Sequence, residues 1–133
     1  MIHSLAVLST ALLFGGMTLY SFGFAAFVFH ALPAATAGQT LRKAFPWFYG
    51  FVIVTASLGA AFWWFAAVAS AVPAVSLVVV AFTASLARQI LMPAINAATD
   101  TGQRQRFKWL HGLSVVITLG HIAATGWLLA TIV

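Results

Sequence analysis

Residues 5–41, 44–87 and 109–133 contain no aspartate, glutamate, lysine or arginine, and no other feature limits the fold as severely. A soluble domain carries about a quarter charged residues. Here the charged fraction is 5%, against 63% hydrophobic residues and a mean hydropathy of +1.07. Folded in water, such a chain would expose apolar patches and associate through them. Hydrocarbon is the solvent that suits it. A helix needs roughly 20 apolar residues to cross a ~30 Å hydrocarbon core, so the sequence predicts four spans, at about 4–30, 46–70, 73–97 and 109–132. The central stretch must hold two of them. Ser70-Ala71-Val72-Pro73 is the natural break, because proline is tolerated in a helix's first turn. The N-terminal run lacks a basic leader and exceeds the ~7–15 apolar residues of a cleaved signal peptide, so it reads as the first span. The expected fold is all-α: one integral membrane four-helix bundle over residues 1–133, with linkers too short for a second domain.

The net charge of +5 is not spread along the chain. Arg42 and Lys43 fall in the first predicted connection, and Arg104, Arg106 and Lys108 in the third. Those connections lie on one side of the membrane, while the second connection and both tails have no lysine or arginine. Short loops rich in these residues stay cytoplasmic. The expected topology therefore has basic loops in the cytoplasm and both termini on the other side, as in a bacterial inner membrane. Trp47 and Trp109 sit at one expected interface, with Trp63, Trp64 and Trp127 towards the other, where aromatic belts form. This placement points to membrane lipid as a partner, through anionic headgroups near the basic loops, and away from nucleic acid.

Polar residues recur on single helix faces. Ser9, Gly16, Gly23 and His30 follow every seven residues. Ser85, Arg88, Gln89, Met92, Asn96 and Thr99 form a second stripe. His111, Ser114, Thr118, His121 and Thr125 form a third, within roughly 80° of arc at ~100° per residue. Transmembrane helices associate through small residues and polar contacts, so the stripes are expected to face one another. Arg88 lies nine residues before the end of its predicted span, or ~13 Å deep. Its side chain can snorkel towards the interface. The candidate ligand-binding residues are Arg88, Gln89, Asn96, His30, His111 and Ser114, joined by Tyr49. An ionisable residue inside a span marks a functional site by default. The competing reading is structural, with Arg88 bonding helix-end carbonyls, His121 bonding a neighbouring helix, and the glycine and serine repeats serving only packing.

The chemistry available is narrow. Asp100 is the only acidic residue and there is no cysteine. Paired-carboxylate catalysis is thereby excluded, as are disulfide exchange and thiolate metal sites. A serine triad would need an acid behind His111, and the bundle has none. The chain leans away from an enzyme. Haem would need histidines on neighbouring helices. His111 and His121 lie about 15 Å apart along one helix, which leaves His30 with His111. No metal site is expected. An Arg88–His111 pocket suits a small polar, anionic or lipid-like ligand, bound or transported through charge-assisted hydrogen bonds. The alternatives are a haem- or metal-binding protein, or an accessory subunit of a larger membrane complex. Transport through four short helices would call for a homo-oligomer or other partners.

Several segments carry a resemblance: Ile2-His3-Ser4-Leu5 with Leu8-Ser9, Leu32-Pro33, Phe45-Pro46-Trp47-Phe48-Tyr49, Arg88 with Met92-Pro93, and His111-Gly112-Leu113-Ser114 with Leu119-Gly120. In this order they resemble the eukaryotic transmembrane protein 205 family and its bacterial relatives, a domain of unknown function. The resemblance implies four helices and carries over His3, Arg88, His111 and Ser114. It departs at His30, where the eukaryotic pattern has arginine, and at Thr118, where it has asparagine; His121 has no counterpart. More distantly the chain is similar to copper-resistance D-type and HemJ-type membrane proteins. The two basic connections also resemble each other, Leu32-Pro33 through Tyr49-Gly50 against Met92-Pro93 through His111-Gly112. That likeness predicts two related helical hairpins in which Tyr49 corresponds to His111.

Overall fold

Lipid offers no hydrogen bonds to a backbone, so a chain this apolar closes its amides within helices. The computed structural model describes residues 1–66 and 68–132; position 67, inside the expected second span, and position 133 lie outside the described residues. Four antiparallel helices make up the bundle: α1 (Ile2–Ala31), α2 (Ala34–Phe65), α3 (Val72–Asp100) and α4 (Arg104–Ile132). Each is long and apolar enough to cross a bilayer, and the protein is an integral membrane protein. At 1.5 Å per residue the helices reach ~44–48 Å. They outrun a ~30 Å core, and their ends project beyond it.

The largest departure from the sequence reading is at the first connection. α2 begins at Ala34, twelve residues before the expected start, so Arg42 and Lys43 sit on helix and not in a loop. Pro33 takes a φ of −55° ahead of the first turn, and the following residues include good helix formers. Ala37 and Leu41 are buried and pack with Val28 of α1, which gives this extension its own small core. Pro46 lies inside α2 without ending it. Asp100, expected in a loop, is the last residue of α3. Beyond it the chain turns through Gly102 at φ 68°. The Gln103 N–H bonds to the Ala98 carbonyl at 2.9 Å and the Gly102 N–H to the Thr99 carbonyl at 3.2 Å. This paired pattern with a left-handed glycine closes a helix and satisfies its last carbonyls. At the opposite end α3 starts at Val72, with Pro73 in its first turn and the Ser70 hydroxyl accepting the Val72 N–H at 3.2 Å.

Many large side chains face outward, while alanines fill much of the space between the helices. Leu12, Phe22, Phe29, Val79, Phe82, Val116 and Trp127 are exposed, whereas Ala6, Ala56, Ala60, Ala74, Ala84 and Ala87 are buried. Close helix approach explains this order, since apolar bulk gains nothing by leaving lipid. A Cβ on Gly16 of α1 would lie 2.5 Å from the Phe51 ring of α2, and one on Gly59 would lie 2.9 Å from Leu77 of α3. One on Gly126 of α4 would lie 3.0 Å from Phe14 of α1. These glycines set the helix spacing. The inward face of α4 is polar: Ser114, His121 and Thr125 are buried and Thr118 half-buried. Each of these hydroxyls bonds a carbonyl of its own helix, at 2.7–3.0 Å.

Candidate functional site

α1 and α3 each contain one stretch of wider, π-helical winding, at Leu19–Phe24 and Ala87–Leu91. In the second, the Met92 N–H reaches back five residues to the Ala87 carbonyl. Proline explains it: Pro93 has no N–H to give the Gln89 carbonyl four residues earlier, and a wider turn redistributes the bonds. Such turns concentrate at functional sites. Tyr20 and Arg88 hold the second place in their respective π turns. The Tyr20 hydroxyl and the Arg88 Nε are the buried side-chain polar atoms that lack a hydrogen-bond partner among the described residues.

Arg88 is half-buried, twelve residues before the end of α3. One turn earlier, Ser85 lines a cleft of about 470 Å³ between α2 and α3, together with Ser57, Ala60 and Trp64. Among the described residues the guanidinium has no acidic side chain as counter-ion. Asp100 is the only acid, and Arg42 of α2 grips it from the other side, Nη1 to Oδ1 at 2.6 Å and Nη2 to Oδ2 at 2.9 Å. Both groups of this clasp are exposed and lie outside the apolar spans. The hydrogen bonds from Arg42 hold the Asp100 carboxyl below the usual carboxylate range, and the same bonds raise Arg42 further. The sequence alone left Asp100 as a lone loop residue; the helical extension of α2 is what brings Arg42 to it.

Tyr49 is buried in an aromatic group at the same end of the bundle. Its ring stacks on Phe45 at 6.2 Å, and Tyr20 stacks on Phe48 at 4.2 Å and meets Phe45 edge-on at 5.8 Å. The remaining expected site residues differ in exposure. His30 and Gln89 are exposed, and Asn96 is half-buried. His111 is exposed and lies flat on Phe107 of its own helix at 5.4 Å. Ser114 is buried and bonds the His111 carbonyl at 2.8 Å. Among the described residues no side-chain hydrogen bond joins Arg88 to any of them. Nor do three metal-capable side chains come together there.

Among the described residues, two further interhelical side-chain hydrogen bonds lie elsewhere. His121 Nε2 meets the Thr83 hydroxyl of α3 at 2.7 Å. Near the non-basic end, the Trp63 Nε1–H donates to Thr10 Oγ1 at 3.0 Å, and His3 sits edge-on to Trp63 at 5.2 Å. Tyr20, Thr10 and Thr83 are functional candidates that sequence reasoning missed. Tyr20 lies four residues after Gly16 and three before Gly23, so helical spacing sets it beside the Ser9–Gly16–Gly23 stripe, and that spacing was the signal that marked it.

A family model described as Domain of unknown function (DUF4149) matches residues 8–104. The matched region holds Tyr20, Arg42, Tyr49, Arg88 and Asp100, and ends before His111. No curated protein and no solved structure matches the chain.

Proposed function

We propose the following for a chain that belongs to the DUF4149 family: it binds, or passes across the bilayer, a small polar or anionic group, free or carried on a lipid, through Arg88. One observation carries the reading. A guanidinium stands within a membrane span, its Nε buried and unpartnered, while the chain's single carboxylate is held by Arg42. An unpaired cation in hydrocarbon is costly and persists where it has work to do. A second copy of the chain brings no remedy, because its own Asp100 sits at a helix end. The missing partner is therefore a ligand anion or a carboxylate from a different membrane protein. Arginine suits planar, bidentate recognition of carboxylate or phosphate.

The cleft beyond Ser85 offers room for an apolar tail, and Tyr49 and Tyr20 offer hydroxyls at the same end. In this reading the basic end faces the cytoplasm and both termini lie outside, in a bacterial inner membrane, following the distribution of lysine and arginine. The kinship with the transmembrane protein 205 family belongs to the same proposal and adds Arg88 as a shared position.

Native mass spectrometry from mild detergent tests it, comparing wild type, Arg88→Gln and Arg88→Lys. A defined adduct that is lost in Arg88→Gln and partly restored in Arg88→Lys supports ligand binding. An adduct unchanged in Arg88→Gln overturns it. Co-purification of a second polypeptide that depends on Arg88 would move the role to that of an accessory subunit.

A further inference from the structure

α4 packs against both α1 and α3, and along the seam between α3 and α4 runs an open groove of about 780 Å³. Its walls are almost wholly apolar. Halfway along, Thr83 and His121 line it, already bonded to each other at 2.7 Å. From that pair to the basic end, the α3 wall runs from Thr83 to Ala94. Eleven residues at ~1.5 Å give ~16 Å, about half of a ~30 Å core and thus one leaflet. The facing wall is Leu110, Leu113 and Ile117 of α4. These belong to a stripe at spacings of three and four, and one turn before Leu110 the same stripe begins at Arg106.

Arg106 is exposed, with exposed Arg104 and Lys108 beside it. With Asp100 occupied by Arg42, the chain holds no acid for any of the three. A one-leaflet apolar slot headed by unpaired cations matches one kind of molecule: an amphiphile with an anionic head.

We propose that this groove is a binding site for an anionic phospholipid, with Arg106 on the phosphate, Arg104 and Lys108 at the rim, and an acyl chain lying along Leu110, Leu113 and Ile117. Basic pockets between helices on the cytoplasmic side are suited to such headgroups. The positive end of the α4 dipole points to the same place. A helix from a second copy is a poorer occupant, since it would leave the three cations unmatched. The site lies on a different face of α3 from the cleft near Arg88, and the proposal does not depend on that residue.

The test is lipid retention, read by native mass spectrometry after reconstitution in vesicles of equal parts phosphatidylglycerol and phosphatidylcholine with identical acyl chains. Wild type should keep one phosphatidylglycerol in preference to phosphatidylcholine. Arg106→Gln should cut that retention roughly tenfold, the equivalent of about 1.4 kcal/mol. Gly120→Leu adds bulk to the slot, and its Cβ meets nothing within 4 Å. Helical side chains lean towards the helix N-terminus, here into the lipid's half. It should expel the lipid while leaving the melting temperature unchanged. Arg88→Gln should leave this lipid in place. Equal retention of both lipids, or no response to Arg106→Gln, overturns the proposal. So does full retention in Gly120→Leu, or loss of a dimer in place of a lipid.

Discussion

Gly15 and Gly16 are neighbours on α1, yet the structure separates them sharply. A Cβ on Gly15 meets nothing within 4 Å, whereas one on Gly16 would sit 2.5 Å from Cζ and 2.6 Å from Cε1 of Phe51. Ordinary contact begins near 3.4 Å, so the Phe51 ring must retreat by roughly 1 Å or α1 must move off α2. Overpacking of this kind costs about 1–3 kcal/mol. Replacing a helical glycine by alanine returns about 0.8–1 kcal/mol of propensity on scales measured in water. Gly15→Ala collects the gain alone and should be neutral or slightly stabilising. Gly16→Ala should range from neutral to about 2 kcal/mol destabilising, and always worse than Gly15→Ala. The assay is reversible unfolding in mixed micelles followed by tryptophan fluorescence, with Trp63 as the buried reporter. In the Phe51→Leu background the Gly16→Ala penalty should shrink, since the flat ring edge is what collides. If Gly15→Ala and Gly16→Ala lose or gain equally, α1 and α2 do not approach each other at Gly16 as closely as the Phe51 contact requires.

Six residues before Gly16 on α1, Thr10→Val leaves the buried Trp63 Nε1–H without its acceptor, which costs about 1–3 kcal/mol; thermal unfolding of Thr10→Val against Thr10→Ser measures it. The Thr83–His121 bond should be weaker, because hydrogen bonds between membrane helices average about 0.6 kcal/mol and reach about 1.7. A double-mutant cycle with Thr83→Val and His121→Phe should find coupling in that range. The Arg42–Asp100 clasp responds to pH with a definite sign. The folded Asp100 lies below its unfolded value, so its contribution is complete above the ordinary carboxylate range and fades as pH falls through the lowered folded value. Spin labels at Gln39 and Thr99 should therefore hold their separation distribution through mildly acidic solution and broaden only in strong acid. Asp100→Asn should show the broadened state at every pH, and because the pair is exposed the melting temperature should barely move.

Much of this protein follows from its sequence. Charge-free stretches as long as residues 44–87 cannot be solvated as anything but membrane helices, and backbone hydrogen bonding in lipid leaves helices as the local answer. The break at Ser70–Pro73 was legible because proline fits only a few places in a helix. The polar stripe of α4 was legible from its spacing, and Ser114, His121 and Thr125 do turn inward. Depth along a helix was also readable, since a residue count times 1.5 Å gives it directly.

What the sequence could not fix is which faces meet across helices, because many rotations bury a small-residue stripe equally well. The tertiary structure decided that Gly16 receives Phe51, that Thr83 meets His121, and that His111 lies outside on Phe107. It decided where α2 begins, because Ala37 and Leu41 gain a helix's geometry only once Val28 is there to pack against. That extension carries Arg42 to the chain's one acid, and so leaves Arg88 and Arg106 without a counter-ion of their own. A sequence records how many charges a chain has; only the packed helices determine which of them are already paired.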